Sequence, residues 1–159
     1  MLKKCVWPIL LLASVFLGAC TAKSAVEQPV AMAEKPIITV YHDPNCGCCT
    51  NWMTYLEKAG YPLEIIETPN STPLKERFQV PRTLQSCHTA VVNGYVLEGH
   101  VPVTEIDRLL IERPDVIGIA VAGMPIGSPG MEMLGVKPQP YHVVSFHEDG
   151  SQEIFGSYQ

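Results

Sequence analysis

The sequence predicts an α/β fold, one mixed sheet flanked by helices with a β-hairpin added at the C-terminus. Three observations carry that expectation. Short β-branched runs alternate with stretches of helical spacing in the order β, α, β, α, β, β, α. Asn93-Gly94 separates two apolar runs, and that dipeptide suits a tight type I′ hairpin turn. A turn crowded with cysteines joins the first strand to the first helix. Composition agrees: 47% hydrophobic and 17% charged residues in 159 describe a globular chain, not a disordered one.

The first residues stand apart from the fold. Lys3 and Lys4 form a short positive region, and Val6 to Phe16 is an almost unbroken apolar run, too short for a membrane span. Leu17-Gly18-Ala19-Cys20 follows, and small residues before a cysteine resemble a bacterial lipobox. Residues 1–19 therefore read as a lipoprotein signal peptide, with Cys20 as the lipid-bearing first residue. Cleavage there leaves 140 residues, enough for a sizeable core, and removes two lysines, so the formal charge moves from −5 to −7. A domain this acidic has no electrostatic footprint for nucleic acid. Thr21-Ala22 carries no acidic retention signal, so the expected address is the periplasmic face of the outer membrane. Residues 20–36 are rich in Ala, Lys, Glu, Gln and Pro without a period, and read as a flexible tether.

The domain proper is expected over 37–159. Ile37 to Tyr41 is a β-rich run, and Asp43-Pro44-Asn45 is full of turn residues. Thr50 to Ala59 reads as a helix, with Trp52, Tyr55, Leu56 and Ala59 at helical spacing, and Gly60 suits its end. Leu63 to Glu67 is a second strand. Asn70-Ser71-Thr72-Pro73 opens a short helix ending near Phe78, with proline in the first turn as expected. Thr89 to Val92 and Tyr95 to Leu97 flank the Asn-Gly turn. Pro102 to Glu112 is a helix with Ile106, Leu109 and Leu110 on its apolar side, stopped at Pro114. This is the element order of a thioredoxin-like core, whose opening βαβ unit should be right-handed. Gly123 to Pro140 reads as loop. Tyr141 to Phe146 and Gln152 to Tyr158 form the terminal hairpin around Glu148 to Ser151.

Of six cysteines, Cys5 lies in the leader and Cys20 takes the lipid, leaving Cys46, Cys48, Cys49 and Cys87. The first three fall between a strand and a helix, whose N-terminus offers free N–H groups and a positive dipole end that stabilise thiolate, the nucleophile and metal ligand. In a thioredoxin-like order, Cys87-His88 at the start of the hairpin strand faces that turn. Three readings remain open. Structural disulfides suit an oxidising compartment; because adjacent Cys48 and Cys49 would strain a bridge, one of the first three would pair with Cys87. Thiol–disulfide exchange would use the Cys46 to Cys49 C-x-x-C frame. Metal binding would use all four sulfurs, although a single compact C-x-C-C is a poor match to zinc spacing.

Soft residues elsewhere favour copper. Met124, Met131 and Met133 fall in a Gly/Pro loop, not on a periodic core face, and thioether with thiolate selects Cu(I). His88 is the leading imidazole candidate through its adjacency to Cys87, His42 follows as the end of the first strand, and His100 divides evenly between roles. His142 and His147 read as surface residues, Met53 as helix packing, and Trp52 as core or as a lid over the site.

Four motifs recur together: Tyr41-His42-Asp43-Pro44-Asn45-Cys46-Gly47-Cys48-Cys49, Cys87-His88-Thr89, Glu98-Gly99-His100-Val101-Pro102 and Gly127-Ser128-Pro129-Gly130-Met131-Glu132. Over about Ile37 to Met133 the sequence resembles the CopG-type periplasmic copper-resistance proteins, long filed as a domain of unknown function. The resemblance implies a thioredoxin-like fold and a thiol-rich cluster of more than one copper ion. It also implies interconversion of Cu(I) and Cu(II), which would make the cysteines catalytic. The ligands it implies are Cys46, Cys48, Cys49, Cys87, His88, Met124 and Met131, with His42, His100 and Met133 as further candidates. Expected partners are copper ions and a periplasmic copper exporter or chaperone. A copper buffer without turnover and a thiol–disulfide oxidoreductase stand as alternatives.

Overall fold

The computed structural model describes residues 34–159. The expected signal peptide, Cys20 and most of the tether lie outside the described residues. The tether's last residues are tied down: the Lys35 ammonium bonds Asp107 at 2.8 Å and stands over the Tyr61 ring.

The elements run β1 (Ile38–His42), α1 (Gly47–Lys58), β2 (Leu63–Glu67), α2 (Thr72–Arg77), β3 (His88–Val92), β4 (Tyr95–Glu98), α3 (Val103–Glu112), β5 (Gly118–Ala120), β6 (Tyr141–Phe146) and β7 (Gln152–Tyr158), with a 3-10 turn at Arg82–Leu84. They make one seven-stranded sheet in the order β2-β1-β3-β4-β5-β6-β7. β1 pairs parallel with β2 across α1 and antiparallel with β3, and β3 with β4 closes the Asn93-Gly94 hairpin. The β2-β1-β3-β4 part, with its helices, is the expected thioredoxin-like mixed sheet.

The terminal hairpin is present where expected, but it continues the same sheet because β5 bridges β4 and β6. The sequence reading does not anticipate β5. Gly118-Ile119-Ala120 is too short to show a period, and it becomes a strand only through partners on both sides. The reading also starts α1 at Thr50, whereas the helix begins at Gly47 and takes Cys48 and Cys49 into its first turn. Gly and Cys carry no apolar periodicity that would mark those positions.

Successive residues of a strand face opposite sides, and the two sides are filled differently. Leu97 and Ile119 join Ile38, Val40, Trp52, Leu56, Ile106 and Leu109 in the main core beneath α1 and α3. Val96 and Ala120 join Val80, Leu84 and Phe146 in a smaller cluster. Fully burying a side chain of this kind contributes about 1.5–3 kcal/mol. The main core therefore fixes α1 against β1 and β3, the elements that carry the cysteines.

Candidate metal centre

The turn after β1 is built by its own polar residues. Asp43 accepts the Asn45 backbone N–H at 2.8 Å and its side-chain amide at 3.1 Å, and the Asp43 carbonyl accepts the Cys46 N–H at 2.9 Å. This Asx-type turn swings the chain into α1. Cys46 is the N-cap, it supplies no side-chain cap, and the first turn holds no acidic residue. The dipole end is thus left facing the sulfurs.

On the other side, β3 starts at His88, opposite His42 in the register with β1. Gly99 follows β4 at φ +72°, and its N–H bonds the His88 carbonyl at 3.0 Å. A Cβ there would stand 2.5 Å from the Val121 carbonyl and 2.7 Å from Ser86, so only glycine lets the chain turn here and deliver His100 beside Cys87.

The four cysteines converge, as the fold predicts, but not all as free thiols. Cys46 and Cys49 are joined in a disulfide, while Cys48 and Cys87 are free thiols. This corrects the expectation that a structural bridge would involve Cys87: the first helical turn brings Cys46 and Cys49 together and leaves Cys48 as a free thiol beside them. Cys48 Sγ lies 3.5 Å from Cys46 Sγ, 3.9 Å from Cys87 Sγ and 3.9 Å from Met124 Sδ. Cys87 Sγ in turn lies 3.4 Å from His88 Nδ1 and 3.3 Å from His100 Nε2. Two donor groups result, one of Cys46, Cys48, Cys49 and Cys87, the other of Cys87, His88 and His100.

The imidazoles are held as neutral donors. His100 Nδ1 faces the Pro129 carbonyl at 2.8 Å and must carry the hydrogen there. Its Nε2 lone pair is thereby left for the Cys87 side, the arrangement that second-shell carbonyls impose on metal-binding histidines. Burial lowers the pKa of His100, and burial with nearby His100, Lys75 and His42 lowers that of His88. His88 is fully buried, packed at a tilt against Trp52 at 4.3 Å between ring centroids and edge-on to His100 at 5.0 Å. Its Nε2 is buried without a hydrogen-bond partner. A buried polar atom left this way costs about 1–3 kcal/mol. The Trp52 indole N–H bonds the Val101 carbonyl at 2.9 Å, so Trp52 serves both readings given to it, core residue and wall of the site. Burial, and then the neighbouring Cys48, push the Cys87 thiol up to about 12.

The Met loop crosses α1 closely. Gly130, at φ +81°, has no room for a Cβ, which would stand 2.7 Å from the Trp52 backbone nitrogen. That contact sets Pro129 against His100 and leaves Met124 half exposed at Cys48. The structure thus joins Cys46, Cys48, Cys49, Cys87, His88, His100 and Met124. Three candidates stay outside this set. His42 is buried and bonded through Nδ1 to the Asp43 carbonyl, Met131 is partly buried in the loop, and Met133 is more than half exposed. Sequence reasoning missed the buried Lys75 and Glu98 behind Cys87-His88. The only signal was a glutamate closing an otherwise apolar strand.

These donors suit a soft metal: thiolate and thioether prefer Cu(I), and imidazole accommodates either copper state. A family model described as a protein of unknown function, DUF411, matches residues 84–131. No curated protein matches. Two solved structures do. One is described as copper resistance protein CopG, form 2: it is 40% identical, covers 79% of this chain and all of that chain, and superposes with a TM-score of 0.75. The other, form 1 of a protein so described, is 42% identical over 79% of this chain and 98% of that chain, with a TM-score of 0.73. Identity at that level across nearly the whole described domain places the chain in the CopG copper-resistance protein family.

Proposed function

We propose that this protein binds copper in a thiolate- and imidazole-rich cluster and interconverts Cu(I) and Cu(II) in copper resistance. The observation that carries the reading is the shared thiol. Cys87 belongs both to the four-sulfur group and to the group with His88 and His100. Bridging sulfurs let several ions share few ligands, so the cluster holds more than one copper ion. Cys46, Cys48, Cys49 and Cys87 are its catalytic and metal-binding sulfurs, with His88, His100 and Met124 completing it. Met131, Met133 and His42 are outer candidates, named by their places in the sequence and by the family resemblance. The Cys46–Cys49 disulfide offers a two-electron store. It takes one electron from each of two Cu(I) ions, its S–S bond breaks to two thiolates, and two Cu(II) ions result. The reverse closes the disulfide.

A lipid at Cys20 would hold the domain at the periplasmic face of the outer membrane, within reach of a copper exporter or chaperone. No described helix is long and apolar enough to cross a membrane.

The test is anaerobic reconstitution of the reduced chain lacking Cys20 with Cu(I), followed by metal and thiol counts and turnover with an external electron acceptor. More than one copper per chain, four protected thiols and turnover are expected. Uptake without turnover leaves a buffer or chaperone, and no retained copper removes the reading. The Cys46–Cys49 bridge at a helix N-terminus favours a second reading, thiol–disulfide exchange. Insulin reduction that persists after copper is stripped would establish it.

A further inference from the structure

Behind Cys87-His88 lies a charged pair that the cluster itself does not use. Lys75 is 5% exposed and Glu98 not at all, and their charged atoms are 2.5 Å apart. A buried ion pair is weak evidence for stability, because desolvation offsets most of the attraction and an apolar pair of similar volume often does as well. Its hydrogen bonds show a narrower role. Glu98 Oε1 accepts the backbone N–H of Ser86 at 2.6 Å, and Oε2 accepts the Thr89 hydroxyl at 2.6 Å. Lys75 donates to the same hydroxyl at 2.9 Å. Ser86 immediately precedes Cys87, Thr89 immediately follows His88, and Glu98 stands two residues before His100. Gly99 between them bonds back to the His88 carbonyl. The Ser86 hydroxyl donates to the Gly123 carbonyl, which fixes the start of the loop carrying Met124. One carboxylate is thus tied to both sides of Cys87-His88 and to the strand that delivers His100.

We propose that Glu98, with Lys75 as its counter-ion, is a positioning residue that holds Cys87, His88 and His100 in mutual register. Naming those three as ligands rests on the copper reading above; the positioning does not.

The experiment uses the full chain with the Cys46–Cys49 disulfide intact and no metal. Far-UV circular dichroism and thermal midpoints check the fold of each variant. Lys75→Met/Glu98→Leu keeps the site buried and removes the side-chain bonds that the pair makes to Ser86 and Thr89. Lys75→Met/Glu98→Gln is also neutral but keeps an acceptor for Ser86 and a partner for Thr89. Iodoacetamide labelling read by mass spectrometry gives the rate at Cys87 relative to Cys48. The apolar pair is expected to raise that ratio at least about tenfold, as local opening would, and the amide variant to restore it to within about twofold of the parent. An unchanged ratio in a folded apolar pair overturns the proposal, as does an amide variant that fails to rescue. If the apolar pair does not fold, Thr89→Val removes one arm of the clamp with little change of shape, and the absence of any rise there overturns the proposal equally.

Cu(I) affinity is then measured on the reduced chains. The apolar pair should lose about 10–100-fold, the usual cost of removing an outer-shell partner, and the amide variant should not. Full affinity in the apolar pair also overturns the proposal. A parent chain that takes up no copper sinks the copper reading instead, and leaves the labelling result to decide the positioning.

Discussion

The two halves of the donor cluster are made by different means. Cys87, His88 and His100 come from the start of β3 and the turn after β4: His88 and His100 are fully buried, each ring is packed or hydrogen-bonded, and Trp52 walls one side. Cys46, Cys48 and Met124 come from a turn, a helix start and a loop, and Met124 is half exposed. The strand half has its geometry fixed before any ligand arrives. The turn half meets solvent and carries the disulfide. The contrast separates precision from access: preorganised donors sit where neighbours lock them, while donors that must exchange sit where they can move.

The sharpest break of that contrast is at its joint. Cys87→Ser removes a member of both groups, so copper per chain should fall further than in Cys48→Ser, which touches only the turn half. Equal losses by metal analysis would show that the halves do not meet at Cys87. Next in size is the wall of the strand half. Trp52→Ala removes a fully buried ring, its bond to Val101 and its ring contact with His88, and should cost about 3–5 kcal/mol in denaturant unfolding. A loss under about 1 kcal/mol would mean that the rigidity assigned to this half is illusory. Gly130→Ala attacks the loop. A Cβ at that positive φ against Trp52 should cost about 1–3 kcal/mol and lift Met124 away from Cys48, leaving the buried His88 ring in place by NMR. Smallest is Met124→Leu at a half-exposed site. Stability should stay within about 0.5 kcal/mol while Cu(I) is held more weakly; unchanged affinity in competition with a Cu(I) chelator would remove Met124 from the turn half.

The sequence made the turn half easier to see than the strand half. Three cysteines in four residues between a strand and a helix are legible at once, and so are the loop methionines. The approach of Cys87-His88 followed only after a fold was assumed, and His100 could not be separated from a core histidine. Its role depends on Gly99 and on the Pro129 carbonyl, a residue far along the chain. Lys75 reads as a surface lysine on a short polar helix, and only tertiary packing reveals that it is buried. Most elements were readable because their periods are long or their turns explicit: β2, β6 and β7 run where expected. β5 was not, since three residues carry no period. The Cys46–Cys49 pair was visible as a C-x-x-C frame, but the structural bridge was assigned to Cys87, because spacing does not show how a helical turn aims each sulfur.

A sulfur that belongs to two donor groups also has a thermodynamic consequence. Whatever one group binds through Cys87 changes what that atom can offer the other, so occupancy of the two is linked and the linkage is reciprocal. If the first ion raises the affinity for the second, loading is steep and partly filled molecules are scarce. If it lowers the affinity, loading proceeds in two separated steps. On the copper reading proposed above, the domain would in either case respond to copper concentration as one coupled unit and not as two independent sites.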